Sequence, residues 1–416
     1  MRDTVPEFNI SVPITGNIWI VGIVFLLHIT AVAFIIGIAM IAPVAELLGM
    51  RTGGERWERL AYQLSTIIER IFAWGATWAA FSLVAIWGLF PRVWGYLSST
   101  FFIQIIIIAG ILWFVMSVTA YLYYVTWEPL RQRRLLHNAI GWTFVLFTMI
   151  FITTIVMFSS YQLTPTDGGD RMLTAAANPS YGTEAAHRHI GNLSYGGILL
   201  AGLLGGWLLL FGAGGEGDRR SFRSWAADAG FSVGAVVLLL MPFSGWFYAN
   251  QIRLASPGAF ALMMLGDNGW MFRVQIGLLG TAFLLANQYI YLNVPRDRIN
   301  AGQLSWIRYS LWVNVLLIGL AVLPKDVPLG QMRPWKYIAL AGFILLLLIN
   351  LTTYLRSRRG AAWVTSGRWS HAVLVALGIV VVALFVMMGI IRTSARGNWL
   401  IYERMPVDQG QELVRP

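Results

Sequence analysis

Five histidines stand out in this chain: His28, His137, His187, His189 and His371. Most lie within or beside long apolar runs, where an ionisable group is costly and usually functional. An imidazole facing the interior of a helix bundle is a common ligand of haem iron. His189 closes the stretch His187-Arg188-His189-Ile190-Gly191, at the mouth of an apolar run that continues from Gly197 to Phe211. The segment before it, 174–186, reads as an extramembrane loop. His189 is thus either an iron ligand where a helix enters lipid or a loop-end histidine facing headgroups. His187 and His189 are two residues apart, about 200° around a helix, so one iron cannot take both. His189 is the choice: it should be deeper and shielded from loop water, with His187 as its solvated neighbour.

His28 stands about eleven residues into the first apolar run, roughly 16 Å along a helix. It could ligate a second iron or bond a neighbouring helix's carbonyl. Glu46 follows 18 residues later, about five whole turns, which places both residues on one face if the helix stays regular past Pro43. Glu46 and Glu69 are candidates to carry protons; the plain alternative is a pair of interfacial carboxylates. The adjacent Glu69 and Arg70 point about 100° apart and should not pair directly. His137 and His371, at helix ends near basic loops, read as solvated or headgroup-facing. Arg273 could clamp a carboxylate such as a haem propionate or simply snorkel. Asn287, Gln288, Asn314 and Asn350 should hydrogen-bond between helices.

Helices must position these groups. The 416 residues are 57% hydrophobic and only 12% charged, with mean hydropathy +0.65. Repeated apolar runs of about 20 residues fit a helical protein that crosses the membrane many times. About ten helices are expected, over 17–49, 60–90, 101–126, 138–162, 189–213, 228–249, 269–293, 306–323, 336–355 and 370–392. No internal repeat is evident, and residues 1–416 read as one transmembrane haem-binding domain, an all-α bundle. No cleavable signal peptide is expected from the first residues.

The net charge of +11 suggests nucleic acid until the arginines are located. They concentrate in alternate short loops: Arg51, Arg56 and Arg59; Arg131, Arg133 and Arg134; Arg219, Arg220 and Arg223; Arg296 and Arg298; Arg356, Arg358 and Arg359. That is the positive-inside pattern, and it puts both termini outside. The loop around Lys325, Arg333 and Lys336 breaks the trend and suggests an anionic ligand or a partner. The chain has no cysteine, which excludes disulfides, cysteine-ligated clusters and thioether-bound haem. Phosphate-binding loops, H-E-x-x-H and G-x-S-x-G are absent, and Gly214, Gly215 and Gly217 lack the strand that a nucleotide fingerprint needs. A transporter should show repeated halves and interrupted helices, and neither is visible.

Taken together, the motifs resemble subunit I of the cytochrome bd quinol oxidases. His28, Gly37 and Glu46 follow the family's spacing of haem-ligating His, Gly and Glu. Phe72-Ala73-Trp74-Gly75-Ala76-Thr77 resembles its Phe-Ala-x-Gly-Val-x-Thr, and Tyr161-Gln162-Leu163-Thr164-Pro165 its Gly-Trp-Met-Gln-Asn-Pro. His189, with Tyr195 six residues on, resembles the ligand helix of the low-spin haem b. Phe272-Arg273-Val274-Gln275-Ile276-Gly277 resembles Phe-Arg-Ile-Met-Val-Gly, and Pro334-Trp335 the end of Gly-Arg-Gln-Pro-Trp.

Departures accompany the likeness. Gln275 stands where the family has its Met ligand, and Leu329 where it has a haem-ligating Glu. The third helix carries no glutamate, and the family's long quinol-binding loop is replaced by the short 249–267 connection. The resemblance implies a bacterial inner-membrane subunit holding one or two non-covalent haem b groups. His28 and His189 would be the iron ligands, and Arg273, Gln275 and Trp335 would line the cofactor. Electrons would pass between membrane quinone and an outer-side partner such as cytochrome c, in a complex with other membrane subunits and without nucleic acid. An oxygen-reducing quinol oxidase and a haem-free membrane anchor are the alternatives.

Overall fold

A computed structural model describes residues 17–166, 171–212, 217–265, 268–323, 334–360, 365–396 and 399–406. Lys325, Leu329, Arg333, Gly214, Gly215 and Asp267 lie outside the described residues. The helices are α1 (Asn17–Thr52), α2 (Glu55–Leu89), α3 (Pro91–Ser99), α4 (Phe102–Val125), α5 (Arg134–Tyr161), α6 (Met172–Ala176), α7 (Tyr181–Phe211), α8 (Gly217–Leu238), α9 (Met241–Ala255), α10 (Pro257–Met264), α11 (Gly269–Asn293), α12 (Ala301–Val322), α13 (Pro334–Arg358) and α14 (Arg368–Ser394). A short antiparallel hairpin, β1 (Trp399–Ile401) and β2 (Met405–Pro406), follows α14.

Ten of these stretches are long and apolar enough to cross a membrane. Large apolar side chains point outward, among them Phe81, Trp87, Ile111, Phe114, Trp312 and Leu316, whereas Glu46, His137, Asn138, Asn287, Asn314 and Asn350 are buried. That reverses the pattern of a water-soluble protein and suits a hydrocarbon solvent, in which polar groups must find partners inside.

The ten expected spans are all present, and α11 keeps its expected limits. Several other helices run past their apolar runs by a turn or two. The largest differences have physical causes. α7 begins at Tyr181 rather than near His189, because its polar first turns are buried against protein rather than solvated. The expected span 228–249 is two helices that meet near Leu240, with Pro242 in the first turn of the second, where a missing N–H costs no helical bond. The first of them starts at Gly217, so Arg219, Arg220 and Arg223 belong to a helix rather than a loop. Arg223 lays its guanidinium 3.4 Å from the centre of the Trp207 ring, a cation–π contact.

The chain forms two compact units. Unit 1 comprises residues 1–189, 246–263 and 392–416. In it α1 packs along α2, α4 along α5, and α1 and α2 also meet α5 and α4 respectively. Its hairpin buries Ile401 in an apolar cluster with Phe90, Phe101, Phe102 and Tyr161. Unit 2 comprises residues 190–245 and 264–391, with α11, α12 and α13 mutually packed and α8 against α13. Here α7 and α8 approach backbone to backbone. A Cβ on Gly197 would lie 2.7 Å from the Gly230 carbonyl oxygen and 2.8 Å from the Gly234 nitrogen. Only glycines spaced four apart permit that approach, a pattern common between membrane helices. Ser194 fastens it by donating to the Gly234 carbonyl at 3.0 Å.

Candidate functional site

His28 is half-buried on α1. Its Nδ1 lies 3.0 Å from the Gly75 carbonyl oxygen of α2. A carbonyl only accepts, so Nδ1 carries the proton and Nε2 keeps its lone pair. A backbone bond that fixes the tautomer in this way is the usual support of an iron- or metal-ligating histidine. The contact also joins the His28 motif to the Phe72–Thr77 motif.

Glu46 corrects the expectation of an interfacial carboxylate. It is 4% exposed, and Oε2 accepts from Tyr123 and from Asn138, each at 3.1 Å. The other amide proton of Asn138 goes to the Pro43 carbonyl at 2.8 Å. Oε1 lies 2.6 Å from His137 Nδ1. His137 was expected to be solvated; it is 2% exposed, and its Nε2 donates to the Tyr123 carbonyl at 2.8 Å. The donors are therefore fully assigned. With Oε2 already taking two protons from neighbours and Nε2 committed as a donor, one proton must occupy the Oε1–Nδ1 gap. The state is either carboxylic acid with neutral imidazole or carboxylate with imidazolium. The cluster joins the ends of α1, α4 and α5 next to the basic loops. On the α2 side Arg134 pairs with Glu58.

Glu69 does not join this cluster. It is half-buried, with Arg70 exposed. The backbone register, in which Gly49 of α1 meets Glu58 of α2, sets it about eight residues, or roughly 12 Å, farther along the hairpin than Glu46.

A second cluster was missed entirely. Glu184, 1% exposed on the first turn of α7, accepts from Ser159 at 2.6 Å, Tyr248 at 2.9 Å and Arg188 at 3.3 Å. Arg392 forms an ion pair with it at 3.6 Å and donates to the Ser159 carbonyl. His187 stacks on Tyr248 with ring centres 5.9 Å apart and is 7% exposed, so it is not the solvated neighbour that was expected. His189 is the more open of the two. Its Nε2 lies 3.0 Å from Thr153 Oγ1, and its Nδ1 is buried without a hydrogen-bond partner among the described residues. Two guanidinium Nε atoms of the same unit, on Arg392 and Arg396, are also buried without a hydrogen-bond acceptor among the described residues. Among the described residues, Glu184 is the one carboxylate bonded to Arg188 and Arg392 here. Burial and the Arg392 charge hold Arg396, beyond the last membrane span, down to about 9.

In unit 2, Arg273, Gln275 and Trp335 are half-buried at the starts of α11 and α13. His371 is 3% exposed, not solvated as expected, because α14 brings it against α7, where its carbonyl lies 3.0 Å from a Cβ built on Gly205. Asn350 bonds Asn287 across helices as expected, while Asn314 donates to Ser310 of its own helix.

Ten apolar helices with buried, bonded polar interiors define an integral membrane protein. The chain belongs to the family of cytochrome bd terminal oxidase subunit I, whose model matches residues 19–414. It is accordingly a respiratory, quinol oxidase-type subunit of the bacterial inner membrane. The structure of the bd oxidase from Geobacillus thermodenitrificans has the same fold, at TM-score 0.52 and 11% identity, over 92% of this chain and 98% of that one. Among curated proteins none matches.

Haem is the cofactor such a family implies, and the residues can be tested against it. Among the described residues no three His, Cys, Asp or Glu converge as a chelating set. A porphyrin supplies four nitrogens of its own and asks the protein for only one or two axial ligands. His28 Nε2 and His189 Nδ1 are each left uncommitted by their neighbours, so the residues fit.

Proposed function

We propose that this chain is the b-type haem subunit of a respiratory complex, passing electrons between membrane quinone and an acceptor on the side away from the basic loops. The observation that carries the proposal is His28. Its tautomer is fixed by Gly75 so that the lone pair sits on Nε2, within motifs similar to the family's ligand helix. His28 and His189 would each hold a haem b. When bound, haem supplies a one-electron carrier. Arg188, Arg392 and Arg396 would balance propionate charge beside His189, with Arg273, Gln275 and Trp335 lining the cofactor in unit 2. Other membrane subunits and the lipid bilayer would complete the assembly, with cytochrome c as a candidate acceptor.

Glu46 and His137 would hold and release one proton, with Glu69 farther along the same hairpin. This pair favours a second reading, reduction of oxygen by quinol, because that reaction consumes protons and α4 offers no carboxylate of its own. A reduced-minus-oxidised spectrum of the purified complex tests the haem assignment: a Soret band lost in His28→Ala supports it, and no band in the unmodified protein ends it. Oxygen uptake with a quinol then separates the two readings.

A further inference from the structure

Unit 2 contains a polar cluster that no step above uses. Asn287 on α11, Ser310 and Asn314 on α12, and Asn350 on α13 are each 0–2% exposed. Each donor atom among them has an acceptor, and Asn350 and Ser310 have spent every hydrogen. Asn350 Nδ2 donates to Asn287 Oδ1 and to Ser310 Oγ, both at 2.7 Å. Ser310 Oγ donates to the Ile307 carbonyl at 2.7 Å. Asn287 and Asn314 donate to the Phe283 and Ser310 carbonyls at 2.9 and 3.0 Å. Those carbonyls can only accept, which fixes the orientation of Asn287 and Asn314, and Asn287 in turn fixes Asn350. Turning any of the three amides would set oxygen against oxygen.

Two acceptors are left over. Asn314 Oδ1 and Asn350 Oδ1 are buried without a partner among the described residues. A buried acceptor left unmatched is destabilising, more so where no water is at hand. The second amide hydrogens of Asn287 and Asn314 reach neither oxygen, nor does any other donor among the described residues, so the site calls for a donor beyond them. It must also be neutral, because no carboxylate belongs to the cluster. The nearest acidic group by helix position, Asp228, is already bound by Tyr289 at 3.0 Å and by Tyr354.

We propose that Asn314 and Asn350 form a water-binding site inside unit 2. A water molecule offers two O–H donors, and buried waters characteristically serve such otherwise unmatched groups. The site continues a polar column along α13. Arg358 donates to the Tyr354 hydroxyl at 3.3 Å, Tyr354 to Asp228, and Asn350 lies one turn farther from the basic loop. Asn314 adds a turn on α12, so polar groups in two bonded sets extend roughly 18 Å from Arg358.

The test is an electron cryomicroscopy map of the intact complex at about 2 Å. Water density is expected within about 2.6–3.2 Å of each amide oxygen. A dry site, or a protein donor at either oxygen, would overturn the proposal. Melting of Asn314→Leu gives an independent sign. Removing an unmatched acceptor would leave Tm unchanged or raise it, whereas removing a hydrated one lowers it. The Ser310 carbonyl keeps its helical bond in the variant, so the water contact dominates the change. A Tm that depends on exchanging sodium, potassium and choline chloride at constant ionic strength would indicate a bound cation and refute the neutral donor.

Discussion

The shared proton between Glu46 and His137 makes a prediction in which two similar substitutions part company. In Glu46→Gln the amide oxygen can take the place of Oε2 and accept from Tyr123 and Asn138. The amide nitrogen then replaces Oε1 and donates to His137 Nδ1, while His137 Nε2 still donates to the Tyr123 carbonyl. Every bond survives, so stability should change by less than about 1 kcal/mol, the worth of one ordinary hydrogen bond. The mobile proton is gone, however, because an amide N–H does not transfer. Glu46→Ala instead strands Tyr123, Asn138 and His137 in a buried site. Removing one member of a buried pair costs about 3–5 kcal/mol, or roughly 3–6 °C of Tm for a chain of this length, at about 1 °C per kcal/mol. The assays are differential scanning fluorimetry and quinol-linked turnover on the same purified complex. Glu46→Gln should melt like the unmodified protein, keep its haem spectrum and turn over more slowly. If it melts like Glu46→Ala, the bond assignment is wrong; if its turnover is unchanged, the pair is structural only.

Other expectations are more compact. Arg392→Ala should cost about 3–5 kcal/mol, the penalty for breaking a buried pair, because Glu184 keeps only Arg188 as a cationic partner; Glu184→Gln in the same background should recover much of the loss, and failure to do so would detach the two residues. His189→Ala should remove one haem's absorption with little effect on folding, whereas His187→Ala, stripping the buried ring from Tyr248, should lower Tm and spare the spectrum; the reverse outcome would move the ligand to His187. Gln275→Met should shift that haem toward a low-spin spectrum if the side chain faces it, and an unmoved spectrum would place Gln275 elsewhere. A reporter fused after Pro416 should be active only on the outer side, since the arginine-rich loops alternate with poorer ones; cytoplasmic activity would reverse the topology.

Hydropathy alone located the ten spans, since a twenty-residue apolar run has few other uses. His28 and Glu46 were visible because depth makes a polar residue conspicuous. The partners were not visible. His137 sits at the start of a helix beside three arginines, where solvation is the natural expectation, and only the packing of α1, α4 and α5 encloses it. The start of α8 was hidden because Asp218, Arg219, Arg220 and Arg223 look like a loop in any hydropathy window. Glu184 lay in a segment read as loop, and its partner Arg392 resembles a snorkelling residue at a helix end. Two charges 208 residues apart leave no local pattern; an unexplained Glu in one apolar helix matched by an unexplained Arg in another was the available signal.

That separation also bears on how the protein is made. Chains enter the membrane from the N-terminus, so α7 carries Glu184 into place while most of the protein is still unsynthesised. Arg188 can accompany it at once, being one turn away. Arg392 arrives only with the tenth span, and the hairpin that bonds Gln162 through Tyr402 arrives later still. Glu184 therefore keeps only part of its buried charge pairing until a residue 208 positions later is translated. Ribosome stalling or truncation before Arg392 leaves a nascent membrane protein with an exposed defect in its earliest helices, a form that quality-control proteases can recognise.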